Sequence, residues 1–576
     1  MKGRTIGGCV VVLVLCTGLV GRAIGPSDVA DAVMNGDAGT LRTLLQKKSD
    51  VNAPQADGTT ALHWAVYRDD LTAADLLLTS GANVKAATRE GVTPLAMASL
   101  YGSVPMVERL LKAGADARER GPNGETMLMF AARSGRPALI GTLIAAGADV
   151  NASDPLRGTT ALMWAVEQQH PEAVTALLAA GASPGATSGP AGLPRNYVAN
   201  RVNLRAVEEA QQRRQRAAAA GRTYEQQLEW ERQQPAPPQT QRQTGDDTEV
   251  VVAGLVGSGG GGLTALVLAA REGGIESARA LVDAGADVNQ TTEYGWSPLL
   301  TSINNRNYEL AAMLIERGAD VNVANKGGWT PLYLATDNRN IEGGDYPVPK
   351  PDRDHLDIIT RLLDKGANPN ARVRENTLTR TIFTMQWFFE DGATAFARAA
   401  ESSDTALMTL LLKHGADPAI PTANGDTALT LAGGIGWVEG VTYERSREEN
   451  VQAVRMLLDL GLDPNGANNE GRTPLMGAAL KGRNDVVRLL VDRGARLDAR
   501  DHGSRDTDKV GSAAAGHTWQ AIDYADGLVR PGVQGVLAHP ETAALIRTLM
   551  IERGLPVPPV DRTILSICVV ALCQGQ

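Results

Sequence analysis

The chain has 576 residues, a formal net charge of -9, 43% hydrophobic residues and only 4% aromatic ones, five of them Phe. An acidic balance of this kind supplies no basic footprint for nucleic acid, and so few aromatic side chains exclude a large globular core built on aromatic anchors. Ala, Leu and Gly dominate instead, as in short helices packed closely side by side, so internal repeats are the first pattern to look for.

At the N-terminus, Lys2 and Arg4 precede an apolar run from Ile6 to Val20, and Gly21-Arg22-Ala23 places small residues where a signal peptidase cuts. The spacing predicts a signal peptide over 1–23 and an exported chain, periplasmic or extracellular. The other reading is an uncleaved anchor, although the run is short for a membrane span, which takes ~20 residues. Cleavage would leave no membrane span and would leave two cysteines, Cys568 and Cys573, in the tail over 556–576. An oxidising compartment permits a disulfide between them; a pair of free thiols is the alternative.

From Ser27 onward one pattern recurs: G-x-T-x-L-x-x-A, a gap, an apolar pair, then G-A-D. Copies include Gly58-Thr59-Thr60-Ala61-Leu62-His63-Trp64-Ala65, Gly91-Val92-Thr93-Pro94-Leu95-Ala96-Met97-Ala98, Gly295-Trp296-Ser297-Pro298-Leu299, Gly328-Trp329-Thr330-Pro331-Leu332 and Gly471-Arg472-Thr473-Pro474-Leu475. The Thr positions recur at 33 or 34 residues wherever no insertion intervenes. Each residue has a mechanical task. Thr60 and its equivalents suit a helix N-cap, where the hydroxyl accepts a free backbone N–H. Pro94, Pro298, Pro331 and Pro474 follow that cap, where a missing N–H costs nothing. Leu95 and Ala98 share one face of a first helix, and Leu110-Leu111 and Leu177-Leu178 supply the apolar face of a second. Gly114 and Gly147 suit the left-handed position that stops a helix, and Asp and Asn then turn the chain.

A 33-residue period with T-P-L-H-x-A resembles the ankyrin repeat. The resemblance implies an all-α repeat solenoid of about twelve helix-turn-helix units with β-hairpin loops, its first and last units degenerate because one face meets water. The expected organisation is an ankyrin block of about five units over 24–187 and a polar insertion over 188–260. A second ankyrin block over 261–501 follows, then an irregular loop with a capping unit over 502–555. The insertion is rich in Gln, Arg and Glu, contains Pro235-Ala236-Pro237-Pro238, and ends in Gly257-Ser258-Gly259-Gly260-Gly261-Gly262. That composition reads as a mobile, partly helical arm dividing the solenoid. Shorter insertions fall at 338–355 and 434–450, each between two helices of a unit, and at 372–390, which carries Phe383, Trp387, Phe388 and Phe389.

No catalytic constellation emerges. The Gly257–Gly262 run matches G-x-G-x-x-G, but no G-K-[ST] follows and the next helix already belongs to a repeat, so it reads as a linker. His502, Asp506, Asp508, His517, Asp523 and His539 gather in the irregular segment 501–539; a metal or enzymatic site there is the rival to a scaffold, although the spacing matches no tight ligand motif. No cofactor is implied. An envelope-anchored structural role is a third reading.

The resemblance implies a non-catalytic scaffold that binds protein partners on the concave face formed by loop tips and first helices. Carried onto this sequence, that face offers Trp296 and Trp329, which occupy the same place in adjacent units, together with Tyr67, Arg68, Tyr101 and Arg133, and the insertion residues Trp387 and Phe388. For the Trp pair the alternative is packing that stiffens the loops, and Trp64, Phe130 and Trp164 read as half-buried core.

Overall fold

The computed structural model describes residues 27–189, 261–340, 350–374, 391–437, 443–501, 518–529 and 538–562, with four single positions between 190 and 260. Among them are 24 helices and no strand, so the fold is the expected all-α repeat solenoid. Among the described residues, the loops joining the repeats hold isolated bridges, at Arg120–Thr126 and Thr187–Thr264, in place of the expected β-hairpins. The chain divides into two compact units, Met1–Leu156 and Arg157–Gln576.

The repeating pair of helices follows from the motif. Thr93 has extended backbone angles, and its side chain accepts the N–H of Ala96, starting the inner helix Pro94–Tyr101. Thr126, Thr160, Thr264, Ser297, Thr330, Thr394 and Thr427 do the same for Met127–Ser134, Ala161–Glu167, Ala265–Glu272, Pro298–Asn304, Pro331–Arg339, Ala395–Glu401 and Ala428–Gly433. Each such cap is worth ~1 kcal/mol. Leu95 and Ala98 are fully buried, as their spacing demands. Of the apolar pairs Leu110-Leu111 and Leu177-Leu178 only the first member is buried, the second half-buried, because successive residues on a helix point about 100° apart; Leu314-Ile315, Leu362-Leu363 and Leu457-Leu458 of the second unit are buried at both positions.

The outer helix Val104–Lys112 ends where Gly114 takes φ +99 and its N–H reaches the carbonyl of Leu111, while Ala115 N–H reaches Leu110. Asp116 then accepts the N–H of Arg118, two residues on, and Asp149, Asp287, Asp320, Asp417 and Asp463 repeat that turn. The Asn that follows has a task the sequence did not show. Asn322 donates to the carbonyl of Gly366 at 3.0 Å and accepts from the N–H of Asn368 at 2.7 Å, one repeat further on. Asn52, Asn289, Asn370 and Asn465 make the same two bonds to the following repeat, a ladder of staples between neighbouring turns.

The first unit holds four helix pairs: Asp28–Met34 with Ala38–Gln46, Ala61–Tyr67 with Leu71–Thr79, Pro94–Tyr101 with Val104–Lys112, and Met127–Ser134 with Pro137–Ala145. The second begins with Ala161–Glu167 and Pro171–Ala179 and runs to Ala521–Ala525 and Pro540–Glu552, eight pairs in all among the described residues.

The second unit changes one expectation. The 188–260 insertion does not divide the helix stack. The chain leaves and returns at a loop tip, where Ser188 N–H reaches the carbonyl of Leu263 at 2.8 Å, Leu263 N–H reaches Ser188 Oγ at 2.9 Å, and Thr187 bridges Thr264. The helices on either side stay in contact: Ala161–Glu167 packs on Ala265–Glu272, and Pro171–Ala179 on Ile275–Asp283. Glu167 pairs with Arg271 at 2.8 Å across that junction. An insertion at a loop tip leaves the helix faces free to stack, so this pair belongs with the units after the insertion rather than those before it. The insertion between Pro331–Arg339 and His355–Asp364 and that between Ala428–Gly433 and Arg447–Asp459 fall, as expected, between the helices of one unit. The 372–390 insertion also leaves from a loop, where Val373 N–H reaches Ala393 O and Gly392 N–H reaches Val373 O; 375–390 itself lies outside the described residues.

Candidate functional site: the inner-helix face of each unit

Every inner helix presents the same two positions, four and seven residues after its N-cap, to the inner face of its unit. In the first unit those positions hold Asp31 and Met34, Trp64 and Tyr67, Met97 and Leu100, and Phe130 and Arg133, with Tyr101 one residue beyond Leu100. Trp64, four after Thr60, is half-buried, and its Nε1 donates to Gln55 Oε1 at 2.8 Å. Gln55 in turn donates to Asp31 at 2.6 Å. The indole is thereby held as a fixed wall. Tyr67 stands against it edge to face, ring centroids 5.6 Å apart, and Tyr101 of the next repeat meets Tyr67 at 6.0 Å.

Both tyrosines are open to solvent, Tyr67 59% and Tyr101 51% exposed, and Leu100 beside them is 38% exposed. Burial of its flank and the nearby Tyr67 raise the Tyr101 phenol above its usual range. Arg68 and Arg133 are exposed at the ends of their helices. The Arg68 guanidinium also donates to Met34 O at 3.3 Å. Tyr67, Arg68 and Tyr101 are thus brought together on one face, with Arg133 one repeat further along it. His63, within the same row of helices, is structural. It touches Thr60 Oγ1 at 2.8 Å and Val92 O at 3.0 Å, and burial lowers its pKa.

The second unit treats Trp296 and Trp329 differently from the sequence expectation. They are buried, 3% and 1% exposed, and do not form an exposed pair. Trp329 packs edge to face on Tyr333 at 4.9 Å. Both residues leave the indole Nε1 buried without a hydrogen-bond partner. A ring seated at the loop, just before the N-cap, turns toward the first turn of its own helix because that hides most apolar area. Trp387, Phe388, Cys568, Cys573 and the 1–23 segment lie outside the described residues.

The inner face of the second unit also holds a feature the sequence reading missed. At the position where the first unit has Trp64 and Phe130, the helix Ala395–Glu401 has Arg398. It is 3% exposed. Its guanidinium donates to Asp337 at 2.8 Å, Glu401 at 3.0 Å, Ser402 Oγ at 2.8 Å and the carbonyl of Asn340 at 2.6 Å. Asp404, fully buried, accepts from Arg339 at 2.7 Å, from Arg445 at 3.1 Å and from the N–H of Leu407. Glu444 pairs with Lys481 and Arg483, and Lys481 lies over the Trp437 ring. Burial pushes Glu401 up to about 7 and lowers Lys481. The signal was present in the sequence: Arg398 and Glu401 fall on the two inward positions of a repeat.

The described members of the 501–539 segment have structural tasks. Asp501 accepts from Trp519 N–H and Tyr524 OH, both at 2.7 Å. Asp523 accepts from Gln520 N–H and pairs with Arg562 at 2.7 Å, and His539 Nε2 meets Leu480 O at 2.8 Å. His502, Asp506, Asp508 and His517 lie outside the described residues. Among the described residues, no three His, Cys, Asp or Glu side chains stand together so as to hold a metal, and no helix is long and apolar enough to cross a membrane.

Comparison with known proteins agrees with the geometry. The family described as ankyrin repeats (3 copies) matches residues 29–120, 102–188, 247–325, 266–373 and 445–501, more than half of the chain. Among curated proteins, the chain is similar to mouse ankyrin repeat and SOCS box protein 16, 38% identical over 15% of this chain and 18% of that protein. It is similar to the human protein of the same name, 29% identical over 25% and 35% of the two chains. It is also similar to serine/threonine-protein kinase 12 of Arabidopsis thaliana, 39% identical over 10% and 12%. The chain spans between about a tenth and a third of the length of these relatives. With the capped helix pairs, the 33-residue register and the turn ladder, these matches place the chain in the family of ankyrin-repeat proteins.

Proposed function

We infer that the protein is a non-catalytic binding scaffold, and that the exposed Tyr67–Tyr101 face of its first unit is a contact surface for a protein partner. One observation carries this reading. Two tyrosines of adjacent repeats stand ring to ring and more than half exposed on the inner-helix face, braced by the hydrogen-bonded Trp64 and flanked by Arg68 and Arg133. Rigid aromatic anchors beside arginine are the composition that dominates binding energy at protein interfaces, and a large side chain kept in water does nothing for the core. The family is generally an interaction module.

The test is affinity capture from the native source with the full chain, comparing wild type with Tyr67→Ala/Tyr101→Ala. Partners captured by the wild type are lost or weakened by ~10-fold or more in the double variant, whose thermal unfolding is nearly unchanged because both rings are exposed. An identical set of partners at identical strength would reject the surface. The reading further holds that the chain acts outside the cytoplasm after removal of 1–23; N-terminal sequencing of the mature protein decides that, a retained Met1 counting against it.

A further inference from the structure

On the outer helices of the first unit an arginine finds a carboxylate in the preceding repeat: Arg109 pairs with Asp75 at 2.9 Å. Where the inner helices end, two arginines are placed differently. Arg68, exposed at the C-cap of Ala61–Tyr67, has a neutral carbonyl, Met34 O, as its side-chain partner. Arg136, exposed at the N-cap of Pro137–Ala145, forms no side-chain bond among the described residues.

Both side chains are seated on a glycine of the preceding repeat. A Cβ on Gly36 would stand 2.6 Å from the Arg68 guanidinium, and a Cβ on Gly102 would stand 3.1 Å from Cγ of Arg136. Gly36 and Gly102 hold the same left-handed turn position, at φ +69 and +79. In the second unit the corresponding seat, at Gly273, takes the uncharged Asn307. The nearby carboxylates are turned to the protein's own donors. Asp31 accepts from Gln55 Nε2 at 2.6 Å, and Asp69 accepts from Ser103 Oγ at 2.6 Å. Asp37 and Asp70 accept the N–H groups of Thr40 and Ala73 as helix caps.

We propose that the first unit takes an extended acidic segment of its partner, with an apolar side chain over Tyr67 and Tyr101 and carboxylates at its two ends on Arg68 and Arg136. The inference rests on the tyrosine face being the contact surface. Charge complementarity selects the partner. Arg68 directly follows Tyr67, and Arg136 lies on the residue after Tyr101, so the two cations bracket the two exposed rings. Arg133, exposed on the last turn of Met127–Ser134, adds a charge of the same sign. A guanidinium offers a carboxylate two parallel N–H donors, and side chains already seated lose less freedom when the partner arrives. The dimensions set the length. Arg68 and Arg136 belong to the second and fourth helix pairs, two helix spacings or ~18 Å apart, a span that an extended chain covers in about six residues.

Fluorescence anisotropy of the full chain with two labelled peptides, Glu-Glu-Leu-Phe-Glu-Glu and Lys-Lys-Leu-Phe-Lys-Lys, tests this. The acidic peptide is expected to bind ~10-fold or more tightly than the basic one, and to weaken as salt is raised, because exposed ion pairs are screened. Arg68→Gln/Arg136→Gln should weaken the acidic peptide by ~10-fold without changing thermal unfolding, since both side chains are exposed. Tyr67→Ala/Tyr101→Ala should weaken both peptides. An acidic peptide that binds no better than the basic one, or that binds the arginine variant as it binds wild type, overturns the acidic partner. That failure leaves the tyrosine surface standing where Tyr67→Ala/Tyr101→Ala still loses the partners captured by the wild type. Acidic-peptide binding indifferent to both tyrosines overturns the surface itself, and the inference with it.

Discussion

Asp404 and Asp70 occupy the same place in their repeats, and replacing each by alanine separates a helix cap from a buried ion cluster. Asp70 caps Leu71–Thr79 by accepting the N–H of Ala73 at 2.9 Å, at a half-buried site. Asp404 caps Thr405–Lys413 by accepting the N–H of Leu407 at 3.2 Å. It is also fully buried and accepts from Arg339 and Arg445. Loss of the cap costs ~1 kcal/mol in both places. Loss of Asp404 also strands two largely buried guanidinium groups, and breaking a buried pair from one side costs about 3–5 kcal/mol. Asp70→Ala should therefore raise the opening constant of its outer helix ~5-fold, and Asp404→Ala should raise that of Thr405–Lys413 by ~1,000-fold. Asp404→Asn keeps an acceptor for Leu407 and falls between them. Because repeat arrays open locally, hydrogen exchange resolved by peptide is the assay rather than a single melting temperature. Equal effects at the two sites would refute the argument that the second unit's inner face is held by charge.

Two further tests address the turns and the protonation of a buried ring. At Gly58, φ is +85 and an added Cβ would lie 2.9 Å from the backbone N of Arg89, whereas at Gly81, φ is +88 and nothing lies within 4 Å. Gly81→Ala should cost only the left-handed penalty of ~1 kcal/mol; Gly58→Ala should cost clearly more by thermal unfolding, and equal melting temperatures would contradict the close approach. His355 touches Tyr308 OH at 2.9 Å, and burial, with Arg306 and Arg339 adding to it, lowers it to about 4. Its contribution is complete above pH 6.5 and is lost as pH falls toward 4. His355→Gln should flatten the acid limb of the second unit's stability measured against pH, and an unchanged limb would count against a neutral buried imidazole.

The period made the helices legible. Thr60, Thr93, Thr330 and their equivalents announce each N-cap because an extended residue with a short acceptor side chain, followed by Pro or Ala, has one low-energy use in such a pattern. The face carrying Tyr67 and Tyr101 was legible for a related reason: they stand seven and eight residues after Thr60 and Thr93, and an offset from the cap fixes a direction on a helix. An offset of four from the cap would have exposed Arg398 as an anomaly, a charge standing where Trp64 and Phe130 stand in the first unit. Its partners Asp337 and Asn340 could not be read because they come from another repeat.

Trp296 and Trp329 show the limit of that reasoning. Their spacing of one repeat was correct, but exposure depends on what lies opposite a loop, and Tyr333 draws Trp329 inward. The place of the long insertion was likewise visible in the lost period, whereas its consequence was not. Whether 188–260 separates two stacks or merely leaves a loop tip depends on whether Ser188 meets Leu263, a contact across 75 residues. By itself, then, the sequence determined the repeat, its caps and the direction each helix face points, since these rest on interactions within a few residues. Only the tertiary structure decided which of those faces meet water, which charges are buried against one another and where the compact units divide, because burial and pairing are properties of neighbours that the chain brings together from far apart.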